Sequence, residues 1–182
     1  MNIFILNTGR CGSTTFIKAC SHISNYTAGH ESLTAYTGAA RLAYPDNHIE
    51  ADNRLSWFTG RLHEKYADKA YYVHLYRDTR KTIDSFVRRK DFGIMKAYQE
   101  AILLGNTDTD NMEAIAEDYI QTVESNIKLF LRDKPHKMEF RLEHAETDFK
   151  RFWDSISAEG NLQAALEEWK ISYNCSAGNV RT

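Results

Sequence analysis

Cysteine is scarce in this chain, with three residues at Cys11, Cys20 and Cys175. An odd, sparse set is no disulfide framework, and no Cys-x-x-Cys pair offers a zinc-binding spacing, so a reducing, cytoplasmic setting is expected. Two prolines and nine scattered glycines exclude collagen-like and proline-rich disordered classes. No apolar run approaches the roughly 18 residues of a membrane helix. The opening Met1-Asn2-Ile3-Phe4-Ile5-Leu6 is too short for a secretory leader and lacks its basic flank. Neither sign of charge dominates: 23 Lys and Arg against 25 Asp and Glu give a net charge of −2, which argues against a general nucleic-acid binder. There is no internal repeat.

What is present suits a single domain over residues 1–182, since no composition shift marks a boundary. A chain of this length buries about 70% of its unfolded surface and needs no staple. Ile3 to Leu6 is a continuous apolar run, read as a buried strand. Asn7 to Gly12 reads as a tight loop, and Ser13 or Thr14 as the cap of a helix over 13–24. Residues 25–47 lack a period and hold turn formers, with a short helix within 35–44. Further strands are expected at 48–52, 70–76 and 137–142. Helices are expected at 53–67, 79–90, 93–104, 112–132, 146–157 and 161–171, the fourth of these (112–132) opened by a capping box of Asp110 and Glu113. Alternating strands and helices imply an α/β fold with a mostly parallel sheet of about four to five strands flanked by helices and joined by right-handed crossovers. Ligands of such sheets sit beyond the carboxyl ends of the strands. Three segments converge there: residues 9–14, the stretch around Asp52-Asn53, and Arg77-Asp78.

The loop Gly9-Arg10-Cys11-Gly12-Ser13-Thr14-Thr15 has the composition of an anion cradle. Backbone N–H groups and the helix dipole favour a phosphate or sulfate above the first helix, Arg10 adds a cation, and the hydroxyls add donors. The alternative is an ordinary strand-to-helix turn. A Walker loop needs a second glycine and a lysine where this chain has Thr14 and Thr15, and a dinucleotide fingerprint needs glycines where it has Cys11 and Thr14. A cysteine-phosphatase loop needs an arginine where Ile17 stands, so Cys11 reads as a small loop residue offering its N–H.

Asn7 to Thr14 resembles the 5′-phosphosulfate loop of the sulfotransferases that use 3′-phosphoadenosine 5′-phosphosulfate (PAPS): a basic residue, a small residue, glycine, then hydroxyl residues. A second motif, Val73-His74-Leu75-Tyr76-Arg77-Asp78-Thr79-Arg80 with Ser85 eight residues after Arg77, resembles the strand-end segment and serine with which that family holds the 3′-phosphate, Thr79 standing where proline is usual. A third, Phe140-Arg141-Leu142-Glu143-His144, resembles its fourth-strand segment, with Leu142 in place of the usual tyrosine. The family's C-terminal Arg-x-Gly loop is not recognisable, and Arg181 is the nearest stand-in. The resemblance spans 3–157 and implies a P-loop-like three-layer sandwich, PAPS as donor, PAP as product and no metal. The acceptor would be a hydroxyl on a sugar, small alcohol, phenol or peptide. It assigns Gly9 to Thr15 to the 5′-phosphosulfate, Arg10 to the moving sulfuryl group, and Arg77 and Ser85 to the 3′-phosphate.

Helical geometry puts Ser85 about 200° from the core residue Ile83, beside Lys81, Arg88 and Arg89 on a basic outer face. Sulfuryl transfer also needs a base for the acceptor hydroxyl. His30-Glu31 follows the first helix in the irregular segment. Glu31 is favoured over His30 because the family uses either type and often a glutamate in this stretch; otherwise both are surface loop residues. Glu50 is held in reserve. His74 reads as buried mid-strand, and His22, His48, His63, His136 and His144 have no supporting context. Tyr26, Tyr36, Tyr44, Trp57 and Phe58 are acceptor-pocket or core aromatics, Cys20 is helix core, Cys175 a tail thiol, and Asp108 and Asp110 turn residues. The rival readings are a P-loop kinase or nucleotide hydrolase, and a non-catalytic nucleotide-binding module of the same fold.

Overall fold

A computed structural model describes residues 1–105, 111–171 and 173. Asp108, Asp110, Cys175 and Arg181 lie outside these residues.

Five strands form one sheet: β1 (Ile3–Leu6), β2 (Thr27–His30), β3 (His48–Ala51), β4 (Tyr71–Tyr76) and β5 (Lys137–Arg141). They run in the order β2-β3-β1-β4-β5, with every pairing parallel. The apolar run Ile3 to Leu6 is wholly buried because β1 is the central strand and both of its faces are covered. Ile3 and Ile5 face one core with Val73, Leu75 and Phe140; Phe4 and Leu6 face the other with Tyr72. That alternation is the period-two rule of a strand.

The first core is closed by α1 (Ser13–Cys20), α6 (Ala145–Ser155) and α7 (Leu162–Glu167), through Phe16, Phe149, Phe152 and Leu166. The second is closed by α2 (Thr59–Tyr66), α3 (Thr79–Val87) and α5 (Met112–Leu131), through Leu62, Phe86, Tyr119 and Val123. Two helical layers thus enclose the sheet. The short α4 (Gly93–Ala97) runs into a π-helical turn over Tyr98–Ile102. There the buried Tyr98 donates from its hydroxyl to Asp118 Oδ2 at 2.5 Å.

Several elements differ from the sequence expectation. β2 is a strand where no period was visible: Thr27-Ala28-Gly29-His30 is an edge strand that buries little. The helix expected over 13–24 ends at Cys20, because Ile23 turns to bridge Gly160 and Ser24 N–H donates to Glu159 O at 2.7 Å. The residue before α1 is Gly12, not a capping serine or threonine. The helix expected over 53–67 is a 3₁₀ turn, Asn53–Trp57, followed by α2. Asp52 Oδ1 accepts from Arg54 N–H at 2.9 Å and starts that turn. The cap of α5 is Asn111, whose Oδ1 accepts from Glu113 N–H at 3.0 Å; the Glu113 carboxylate forks onto Arg80 instead, at 2.7 and 2.9 Å.

Candidate active site

The chain leaves β1 for a helix on one face of the sheet and leaves the adjacent β4 for a helix on the other. The carboxyl ends of β1 and β4 therefore flank a topological switch point, where α/β sheets bind ligands. The two motifs that the sequence singles out as candidate phosphate sites, the glycine loop and Arg77-Asp78, both stand there.

Asn7 shapes the loop. Its Oδ1 accepts from Gly9 N–H at 2.8 Å, and its Nδ2 donates to Ile5 O at 2.9 Å. The buried Tyr119 hydroxyl donates to Thr8 O at 2.7 Å, and Ser56 Oγ donates to Asn7 O at 3.2 Å, so elements of the second core fix the loop from below. Gly9, Arg10 and Gly12 all have positive φ, of 86°, 60° and 93°. Gly12 is glycine for a second reason: a Cβ there would come within 2.7 Å of Leu142 Cδ1. The chain then enters α1, whose first N–H groups have no carbonyl one turn back and point over the loop.

A cavity of about 430 Å³ opens above it, lined by Arg10, Gly12, Ser13, Thr14, Thr15, Arg77, Ser85, Arg88, Leu142 and Trp169 among others. Arg10 Nε–H donates to Ser85 Oγ at 2.9 Å, and Arg77 Nη1 lies 3.5 Å from the Arg10 carbonyl oxygen. Ser85 is 3% exposed, not on an outer face as expected, because the side of α3 turned away from Ile83 lies against the loop. The basic neighbours separate: Arg88 lines this cavity, Arg89 lines the next, and Lys81 is solvent-exposed. Cys11 does not line the cavity. Burial pushes its thiol up to about 12, which makes it a poor nucleophile.

A second cleft of about 250 Å³ shares Arg10, Ser13 and Thr14 with the first. His30 and Glu31 both line it, with Gly9, Asn53, Arg54 and Arg89. Glu31 follows β2 and Arg54 follows the adjacent β3, so parallel pairing brings the two together: Arg54 Nη1 lies 3.0 Å from Glu31 Oε2. Glu31 N–H donates to Ala51 O at 3.0 Å, and its φ of 55° turns the chain out of the sheet. His30 Nε2 shares a 3.1 Å hydrogen bond with Ser13 Oγ. Behind them Asp52 is fully buried and takes Arg41 Nη2 at 2.5 Å.

Glu50 is not in the cleft. It is fully buried, accepting from Ser32 N–H and Ser32 Oγ and meeting His48 Nε2. Three of the five histidines left without context have structural partners: His22 meets Glu168, His48 meets Thr27 and Glu50, and His63 meets Lys134. Tyr44 is core and Tyr26 packs against core, while Tyr36 and Trp57 are exposed, and none of these lines either cavity. Arg54, Phe92 and Trp169 were not anticipated in the site. Arg54 follows a strand end, a position the sheet rule could have flagged. Trp169 carried no signal, because a residue on a late 3₁₀ turn reaches the cavity only through tertiary packing. Among the described residues, no group of three or more His, Cys, Asp or Glu side chains could hold a metal ion.

A scan against protein-family models finds no match, and a search of curated proteins finds none. Among solved structures, the chain is similar to a sulfotransferase domain from the curacin biosynthetic pathway, with a TM-score of 0.66 and 16% sequence identity. The likeness covers 93% of this chain and 78% of that one. The α/β sandwich described above is therefore the fold of a sulfotransferase domain.

Proposed function

We propose that the protein transfers a sulfuryl group from PAPS to an acceptor hydroxyl. The observation that carries this reading is the contiguity of the two cavities across Arg10, Ser13 and Thr14, one cationic and hydroxyl-lined, the other holding Glu31 and His30. The residues suit such a donor: three arginines, a glycine-shaped loop and a helix N-terminus converge on one space.

PAPS supplies an activated sulfuryl group whose leaving group is a phosphate. The first N–H groups of α1, with Ser13, Thr14 and Thr15, hold the 5′-phosphosulfate. Arg10, oriented by Ser85, stabilises charge on the transferred oxygens. Arg77 and Ser85 hold the 3′-phosphate, with Arg88 beside them. Glu31, its Oε2 kept on Arg54, takes the acceptor proton through Oε1. A new acceptor O–S bond forms as the S–O bond to phosphate breaks. His30 is engaged at Nε2 with Ser13, which favours Glu31 as the base.

Calorimetric titration with PAP, with and without magnesium and beside magnesium-ATP, tests the reading. Micromolar or tighter, metal-independent PAP binding with weak ATP binding is expected. No PAP binding, or a preference for magnesium-ATP, would overturn it in favour of the kinase reading.

A further inference from the structure

Resting on the transfer reading for its chemistry, we infer that the acceptor is an extended peptide, held as an added strand against the open edge of β2 with a side-chain hydroxyl delivered to Glu31. Among the described residues the sheet ends at β2 on one side and at β5 on the other, and the two edges are built differently. β5 carries the exposed charges of Lys137, Glu139 and Arg141, and the Arg141 N–H is taken by Asp148 Oδ2 at 2.9 Å. Charges and covered backbone groups blunt a strand edge against pairing. β2, with Thr27, Ala28, Gly29 and His30, has no lysine, arginine, acid or proline. Thr27 N–H donates to Asn47 O at 2.9 Å and Glu31 N–H to Ala51 O at 3.0 Å, so the odd-numbered residues turn their backbone groups towards β3. Strand alternation turns the N–H and C=O of Ala28 and His30 outward, where no strand among the described residues pairs with them.

A groove of about 570 Å³ runs along that edge. Thr14, Ile17, Lys18 and Ser21, at helical spacing on α1 and its cap, form one wall, and Ala28 and His30 belong to the other. Cys20, Ile23 and Tyr26 add apolar surface. The groove is continuous with the reaction space: Thr14 lines it and both cavities, and His30 lines it and the Glu31 cleft. The four residues of β2 span about 13 Å, so a partner of about four residues covers them. Glu31 then leaves the sheet at φ 55°, and the next peptide residue enters the cleft that holds its carboxylate. A sugar or simple alcohol would leave the outward row of N–H and C=O groups unmatched, whereas a peptide backbone matches it and its alternate side chains meet the apolar wall. In the transfer, the peptide O–S bond forms as the S–O bond to the phosphate of PAPS breaks, PAP leaves, and the hydroxyl proton passes to Glu31.

The test is fluorescence anisotropy with the labelled peptide Ser-Val-Lys-Val-Lys-Val-Ser, whose terminal serines serve either strand direction, and two twins N-methylated on the valines or on the lysines. Saturable binding of the parent peptide is expected. One twin should bind about tenfold or more weakly, the cost of lost backbone hydrogen bonds, and the other as tightly as the parent peptide, because only alternate N–H groups face β2. Ala28→Pro removes an outward N–H that β2 does not use in the sheet, so it should weaken the peptide about tenfold and leave PAP affinity unchanged, with folding checked by its thermal transition. The twins, titrated into the parent protein, decide the matter without any variant. No saturable binding, twins that behave alike, or full affinity in a folded Ala28→Pro protein would overturn the inference. So would a bound peptide that gains no sulfuryl group from PAPS, read by mass spectrometry, in a protein that binds PAP. PAP binding without peptide binding would leave the transfer reading standing. The expected twin pattern without PAP binding would keep β2 as a peptide edge and overturn the transfer reading.

Discussion

Ser85 Oγ accepts a 2.9 Å hydrogen bond from Arg10 Nε, so the helix after β4 holds the guanidinium that projects from the loop after β1. The two motifs, remote in sequence, are a single cationic unit. Truncation by Ser85→Ala removes the acceptor that orients Arg10, and PAP affinity should fall about tenfold, the cost of losing a hydrogen bond to a charged group. Calorimetry against the parent protein reads it, and unchanged affinity would show that Arg10 needs no such support.

Arg77→Ala should weaken PAP about ten- to a hundredfold, since it deletes from the cavity wall the guanidinium proposed to hold the 3′-phosphate. A variant that binds PAP as tightly as the parent would remove Arg77 from the 3′-phosphate.

Glu31→Gln keeps the shape of the side chain at the cleft and removes the carboxylate proposed as the base. Turnover should drop about a hundredfold or more while PAP affinity is retained. Near-normal turnover would take Glu31 out of the mechanism and bring His30 forward.

These expectations rest on positions read to different depths from the sequence. The glycine loop and Arg77 were legible because strand ends and positive-φ glycines are local features, fixed by a few neighbouring residues. Ser85 was legible as a position but not as an environment: helical periodicity placed it opposite the core residue Ile83, yet could not show that a loop 75 residues earlier covers that face. β2 was missed because an edge strand of Thr, Ala, Gly and His carries no apolar run, and its pairing comes from β3. Phe92 needed the turn between α3 and α4, which no single segment encodes.

Gly12→Ala should destabilise the fold by about 1–3 kcal/mol, the cost of a residue held in the left-handed region. The added Cβ also meets Leu142. In the double variant with Leu142→Ala, chemical denaturation should recover the contact part of the loss relative to Leu142→Ala alone, but not the backbone part.

His74 is buried on β4 with Nε2 unpartnered, and burial, with Lys128 adding to it, lowers its imidazole to about 4. Between that value and about 6.5, the unfolded chain takes up a proton that the folded protein excludes. The stability tied to this group is therefore full above pH 6.5 and is lost as pH falls towards 4. Denaturation midpoints measured across that window should decline in the parent and decline less in His74→Phe. Parallel slopes would show that His74 is not the group responsible.

The all-parallel order has a consequence for how the molecule is made. β1 leaves the ribosome before the other strands of its sheet, yet it pairs Ile3 with Ile49 on one side and with Tyr71 on the other. Its neighbours emerge only after tens of residues more, and such non-local closures are slow to form. The glycine loop is thus synthesised before both neighbours of its strand and is among the last segments to take its shape. During translation its apolar leader Ile3-Phe4-Ile5-Leu6 stays uncovered, and chaperone occupancy or aggregation of nascent chains should concentrate there until β4 has emerged.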